Sequence, residues 1–408
     1  MEFDLHRARL DTPGCEHVIH LNNAGASLMP KQVLNAITAH LQLEALIGGY
    51  EAAEQRNNAI ERVYDLAACL LNCQRDEIAV TENATRAWDM AFYSISFQRG
   101  DRILTSRAEY ASNYIAFLQI AQKYGVEITV IPNDDHDQIS LEALYNAIDK
   151  HVKLLAITHV PMSHGLINPA AAIGRIARQA GILYLLDACQ SVGQMPIDVE
   201  QINCDLLSVA GRKYLRGPRG TGLLYVRKSV LDQLEPPILG LDAARWISKD
   251  CYQLAPDAGR FESWEVNCAS KIGLATAIDY ALQWGIDAIW SRITSLASML
   301  RARLRTLPRV VVQDQGTEQC GIVSFTIAGK DPMEIRQILA KHRINVWVPL
   351  LSSNRLDMEP RGLSSLIRTS VHYYNSHEEI NQLCEVLEAA TTDHKYAFNQ
   401  YPLHRSDI

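Results

Sequence analysis

Short runs dense in apolar and β-branched residues recur along the chain at 77–81, 102–105, 126–132, 153–159, 182–187, 205–209 and 222–227. Between several of them lie longer stretches, 110–123, 140–150 and 170–180, in which apolar residues return every three to four positions. The first pattern predicts strands and the second predicts amphipathic helices. Strands alternating with helices of this length imply βαβ crossovers and a mainly parallel sheet. The seven strand segments therefore predict one large α/β unit. The connections before the last strands are too short for full helices, so an antiparallel member is expected there.

Residues 235–267, with Pro236, Pro237 and Pro256, break the pattern and are expected to form a long functional loop. Helical periodicity returns at 272–284 and 288–307. A second alternation follows, with strands at 310–313, 321–327, 345–349 and 368–372 and helices at 332–342 and 376–390. It predicts a smaller layer of strands under helices. The expected division is an N-terminal segment, 1–20, packing near the active site, a large domain, 21–271, and a small C-terminal α/β domain, 272–408. The polar tail from Asp393 is expected to be loosely ordered. No internal repeat or low-complexity tract is present.

Composition narrows the function. The chain has 408 residues, 48% hydrophobic and 21% charged, enough to bury a large core. A formal net charge of -7 argues against nucleic acid or an anionic membrane as partner, because both are met by basic faces. No apolar run approaches the ~18 residues of a membrane span, and the first ten residues lack a secretion signal. The nine cysteines are scattered. Cys69 and Cys73 stand four apart in a helical pattern, with no second pair at zinc spacing, so no metal site is expected. Reduced thiols in a cytoplasmic protein are the expectation.

In an open α/β sheet, ligands sit beyond the carboxyl ends of the strands. Asp187 closes the segment 182–187 and is followed by Ala188, Cys189 and Gln190. Lys213 follows 205–209, ahead of Arg216-Gly217-Pro218-Arg219-Gly220-Thr221-Gly222. Asn83-Ala84-Thr85 follows 77–81 and opens a helix. Taken singly, these are a helix cap, a solvated lysine and a turn. Together they offer an amine for an aldehyde, a carboxylate for a pyridine nitrogen and backbone N–H groups for a phosphate. Those are the three requirements of pyridoxal 5′-phosphate.

Asp187-x-x-Gln190, a lysine twenty-six residues after the aspartate, and Gly217-Pro218-x-Gly220 resemble the class V aminotransferase and cysteine desulfurase-like family. The resemblance runs from about residue 20 to 388. It implies the fold-type I α/β architecture, a large mostly parallel seven-stranded sheet with a smaller C-terminal α/β domain, and pyridoxal 5′-phosphate as cofactor. It also implies roles. Lys213 would hold the cofactor as a Schiff base and shuttle protons, and Asp187 would pair with the ring nitrogen. Gln190 would bind the ring's phenolic oxygen. Ala84, Thr85 and Arg212 would bind the phosphate, with Arg212 standing where many relatives carry histidine. Tyr110, in Glu109-Tyr110, would stack on the ring as a histidine does in relatives. Arg368 would clamp the substrate carboxylate, and Asn23 and Tyr50 would approach the substrate. Met162 stands where many relatives carry asparagine. His159 and His164 keep both a structural and a catalytic reading. A homodimer is implied, with 235–267 crossing to the partner.

In desulfurases of this family a cysteine receives the sulfur, and its place falls near Ser352-Ser353-Asn354, where there is none. A persulfide-forming desulfurase is therefore disfavoured. The C–S lyases, the lyase of ergothioneine biosynthesis and isopenicillin N epimerase-like enzymes are the nearer resemblance. β-Elimination from a cysteine-derived amino acid is expected, with transamination or epimerisation as the alternative. A dinucleotide-binding protein is disfavoured, since no Gly-x-Gly-x-x-Gly follows the first strand.

Overall fold

The computed structural model describes residues 3–392; the tail from Asp393 lies outside the described residues. In chain order the strands are Ile19–His20 (β1), Ile78–Thr81 (β2), Arg102–Ser106 (β3), Glu127–Ile131 (β4), Val152–Thr158 (β5), Leu183–Asp187 (β6), Leu206–Ala210 (β7), Gly222–Val226 (β8), Ala244–Ser248 (β9), Cys251–Leu254 (β10), Val310–Val312 (β11), Ile322–Ile327 (β12), Ile344–Asn345 (β13) and Ile367–Ser370 (β14).

Seven of them form one sheet in the order β2-β8-β7-β6-β5-β3-β4. β3 to β7 pair in parallel, and β8 runs antiparallel to both of its neighbours. The seven strand segments and the antiparallel member are where the apolar runs place them. Alternate side chains divide between two cores, as the two-residue period of a strand requires. Leu155, Ile157, Leu186, Leu207 and Leu223 pack on one face. Leu154, Ala156, Leu185, Leu206 and Leu224 pack on the other. Burial on both faces is why these strands read as continuous apolar runs.

The order reverses between β3 and β5: the chain steps outward from β3 to β4, then returns past β3 to β5, β6 and β7. Such a reversal leaves a crevice at the carboxyl ends of the strands. The helix Ala84–Tyr93 starts beside it, with Asn83 Oδ1 accepting from the Arg86 amide at 2.9 Å as its N-cap.

Two expectations change. Residues 235–267 are not a plain loop, because β9 and β10 form an antiparallel hairpin within them. Nearly all its residues are exposed, so it carries no core-facing alternation to be read. The strand expected at 345–349 shrinks to β13, which pairs in parallel with β1 and stands outside the smaller sheet. That sheet has three antiparallel strands, β11-β12-β14. It packs under the helices Ile286–Thr306, Pro332–Lys341 and His377–Thr392. The N-terminal helix Leu5–Leu10 is tied to the last of these by Arg9 Nη1 and Glu379 Oε1 at 2.7 Å. Among the described residues no helix is long and apolar enough to cross a membrane.

Candidate active site

A cavity of about 460 Å³ opens at the strand reversal, and Ala84, Thr85, Tyr110, Asp187, Gln190, Arg212 and Lys213 all line it. Four of them arrive there for a local reason. Asp187 is the first polar residue after the apolar run of β6, and Lys213 follows β7 by three residues. Ala84 and Thr85 are the opening residues of their helix, whose Asn83 cap engages only the Arg86 amide.

The polar groups are held in place. Asp187 is 6% exposed, with Oδ1 accepting from the Cys189 amide at 3.0 Å and Oδ2 from Asn113 Nδ2 at 3.1 Å. Burial lowers the pKa of Lys213, and the charges of Arg212 and Arg368 push it the same way. Its amine is thereby more available as a nucleophile. Gln190 Nε2 donates to the Ala24 carbonyl at 3.0 Å, while its Oε1 is buried without a partner.

These residues fit pyridoxal 5′-phosphate. A first helical turn with free N–H groups, next to the cation of Arg212, suits a phosphate. Gly222 makes the approach possible, because a Cβ there would stand 2.5 Å from the carbonyl carbon of Asn83 and 2.8 Å from the nitrogen of Ala84. The same cavity carries the fixed carboxylate of Asp187, which suits a protonated ring nitrogen. Lys213 lines the same cavity as these two anchors.

Arg368 lies behind the lining, 2% exposed, with Nη1 donating to the Met162 carbonyl at 2.8 Å and Nη2 to Asn22 Oδ1 at 2.9 Å. Burial draws its pKa down to about 10, which leaves it charged at neutral pH. The asparagine at this arginine is Asn22, not Asn23. Asn23 Nδ2 donates to the Ser370 carbonyl at 2.7 Å and its Oδ1 accepts from the Tyr374 hydroxyl, so its side chain is spent on the fold. Tyr50 does not line the cavity. It is 75% exposed on the helix Gly49–Gln55, with its ring centroid 6.4 Å from that of Trp264. His159 and His164 are both buried, and neither lines this cavity. Burial lowers His159 to about 4, and His164 Nε2 stands 3.4 Å from Asp357 Oδ2.

Other lining residues carry no mark in the sequence. Cys189, Asn113, Thr158 and Trp88 line the cavity as well. Arg216, three residues after Lys213, is buried without a carboxylate partner among the described residues and adopts a left-handed φ of 61°. It donates to the Tyr373 hydroxyl at 2.6 Å, Thr12 Oγ1 at 2.5 Å and the Leu28 carbonyl at 2.8 Å. Its guanidinium lies 4.6 Å from the centre of the Tyr374 ring. It thus ties the lysine turn to the N-terminal segment and to the residues just after β14. Nothing local in the sequence marks it for this work.

Comparison with known proteins identifies the family. The family model for class-V aminotransferases matches residues 19–383. The protein named "Probable cysteine desulfurase" of Pyrococcus abyssi is 30% identical over 392 residues, 93% of this chain and 96% of its own. The apo structure of a cysteine desulfurase from Thermococcus onnurineus NA1 superposes with a TM-score of 0.88 at 28% identity, covering 96% of this chain and 98% of that one. A cystine C–S lyase in complex with its product cysteine persulfide shares the fold, with a TM-score of 0.83 at 24% identity over 92% of this chain and 99% of that one. The chain belongs to the class-V aminotransferase family of fold-type I, pyridoxal 5′-phosphate-dependent enzymes, and within it is cysteine desulfurase-like.

Proposed function

We propose that this protein is a carbon–sulfur lyase that carries out β-elimination on a cysteine-derived amino acid. The observation that carries this reading is the segment before β14 where a sulfur-accepting cysteine would stand. It holds Leu351, Ser352, Ser353 and Asn354, and it is tied down rather than free to swing. Asn354 Nδ2 donates to Ser163 Oγ at 2.6 Å, the Leu351 amide donates to the Ser364 carbonyl at 2.9 Å, and Met358 is fully buried. A persulfide acceptor must be a thiolate that can reach the substrate sulfur. Burial instead pushes the thiols of Cys320 and Cys384 up to about 12 and about 11. Cys189 does line the cavity, but burial drives its thiol well above the ordinary range.

When bound, pyridoxal 5′-phosphate supplies an electron sink for the charge left at the substrate Cα. The chain does the rest. Ala84 and Thr85 would hold the phosphate through their amides, assisted by Arg212. Asp187 would keep the ring nitrogen protonated, Gln190 would offer its second Nε2 hydrogen to the phenolic oxygen, and Tyr110 would cover the ring. Arg368 binds the substrate carboxylate. Lys213 would hold the cofactor's aldehyde and, as a free amine, would take the substrate's Cα proton. The Cβ–S bond breaks with its electron pair leaving on sulfur, and the released enamine hydrolyses to pyruvate and ammonia. A cytoplasmic homodimer completes the proposal; association would cover the exposed aromatic surface of Tyr50, Trp246, Tyr252 and Trp264.

The test is product identity. With cysteine and its S-substituted derivatives, pyruvate and ammonia should appear in equal amounts. Intact-protein mass should show no added sulfur, and Cys320→Ala and Cys384→Ala should stay active. Alanine as product with a protein-bound sulfur would return the chain to the persulfide mechanism, and a sulfur-retaining oxo acid would make it a transaminase.

A further inference from the structure

Behind Asp187 lies a second carboxylate that the chemistry above does not use. Glu109, in the turn after β3, is 3% exposed. It accepts from Thr105 Oγ1 at 2.9 Å, the Tyr110 amide at 2.9 Å, Asn113 Nδ2 at 2.8 Å and Thr158 Oγ1 at 2.5 Å. The same Asn113 amide donates to Asp187 Oδ2 at 3.1 Å. One carboxylate and one amide thus join the ends of β3, β5 and β6, at the point where the strand order reverses.

A buried carboxylate is costly unless fully hydrogen-bonded, and filling space here does not require one. Its effect falls on Asn113. The two hydrogens of the Asn113 amide serve two acceptors, Glu109 and Asp187, so Glu109 fixes the amide's rotation about a torsion that is otherwise broad. Asn113 in turn fixes Asp187 Oδ2, while the Cys189 amide fixes Oδ1. Burial raises the pKa of Glu109 to about 7, and the nearby charge of Asp187 pushes it the same way against the hydrogen bonds from Thr158, Asn113 and the Tyr110 amide.

We propose that Glu109 is a positioning residue: through Asn113 it locks the Asp187 carboxylate in the orientation that keeps the cofactor's ring nitrogen protonated. The proposal rests on Asp187 facing that nitrogen, as argued above. Without Glu109 the Asn113 amide turns, Oδ2 loses its donor, and the carboxylate rotates away from the ring.

The experiment compares holoenzymes carrying Glu109→Gln, Asn113→Ala, both together, and Asp187→Asn. The readouts are the 15N resonance of ring-labelled cofactor, the pH midpoint of its visible absorbance, and kcat and KM. Each single relay variant should move the nitrogen resonance toward the unprotonated form. Loss of one charge-assisted hydrogen bond should lower kcat by about tenfold to a hundredfold, with KM little changed. The double variant should be no worse than Asn113→Ala alone, since both act through one contact. Additive losses, or a lower melting temperature with an unmoved resonance, would overturn the relay. A resonance that moves in Asp187→Asn and not in the relay variants would sink the relay while sparing the proposed function. If Asp187→Asn also leaves it unmoved, Asp187 does not face the ring nitrogen and the proposal falls with that reading. Should Glu109→Gln fold poorly, Asn113→Leu tests the same contact from the other side.

Discussion

Arg368 offers the sharpest test of how substrate is held. Its guanidinium is buried, and its two observed acceptors, the Met162 carbonyl and Asn22 Oδ1, are neutral. No ion pair to it forms among the described residues. Five N–H donors on an arginine with two in use leave capacity for an incoming carboxylate. Removing one partner of a desolvated charge pair costs roughly 2–5 kcal/mol, and about 1.4 kcal/mol is a factor of ten. Arg368→Ala removes the charge and the fork together, so kcat/KM for an α-amino acid should fall by about 30-fold to 4,000-fold, most of it in KM. The matched assay uses the corresponding amine without its carboxyl group. The wild type should strongly prefer the amino acid, and the variant should lose that preference while its bound-cofactor spectrum stays normal. A variant that keeps both its KM and its preference would show that Arg368 only braces Met162 and Asn22, and the carboxylate clamp would have to be sought elsewhere.

Two further outcomes follow from the cavity. Lys213→Ala should abolish turnover and the borohydride-reducible attachment of cofactor to protein, because Lys213 is the lysine that lines the cavity; a reducible attachment surviving in the variant would refute its role. Gly222→Ala should push β8 away from the start of the helix Ala84–Tyr93, since the added carbon would lie 2.5 Å from Asn83 backbone. Overpacking of this kind costs about 1–3 kcal/mol, so the melting temperature should fall and cofactor should dissociate more readily in equilibrium dialysis; unchanged values would mean that the phosphate cradle does not depend on this contact.

The strands of the large sheet were legible in the sequence because parallel strands buried on both faces carry their signature locally. Leu206–Ala210 is apolar apart from one serine, and all of it is buried. Since ligands gather beyond the carboxyl ends of such strands, the positions of Asp187, Lys213, Ala84 and Thr85 followed from where the apolar runs stop. What the tertiary structure alone decided lies in contacts between distant segments. The choice of Asn22 over Asn23 at Arg368 depends on Ser370 and Tyr374, nearly 350 residues away, claiming the second asparagine. The hairpin of β9 and β10 had no core to imprint a pattern on it. Glu109 and Asn113 stand four residues apart, a spacing visible in sequence, yet Asp187 comes within reach of Asn113 only because β3 and β6 flank the same strand, β5, in the sheet. Periodicity records whether a side chain faces a core, a property of each segment alone. Which polar groups meet there depends on how the segments cross, and that is set by packing the whole chain at once.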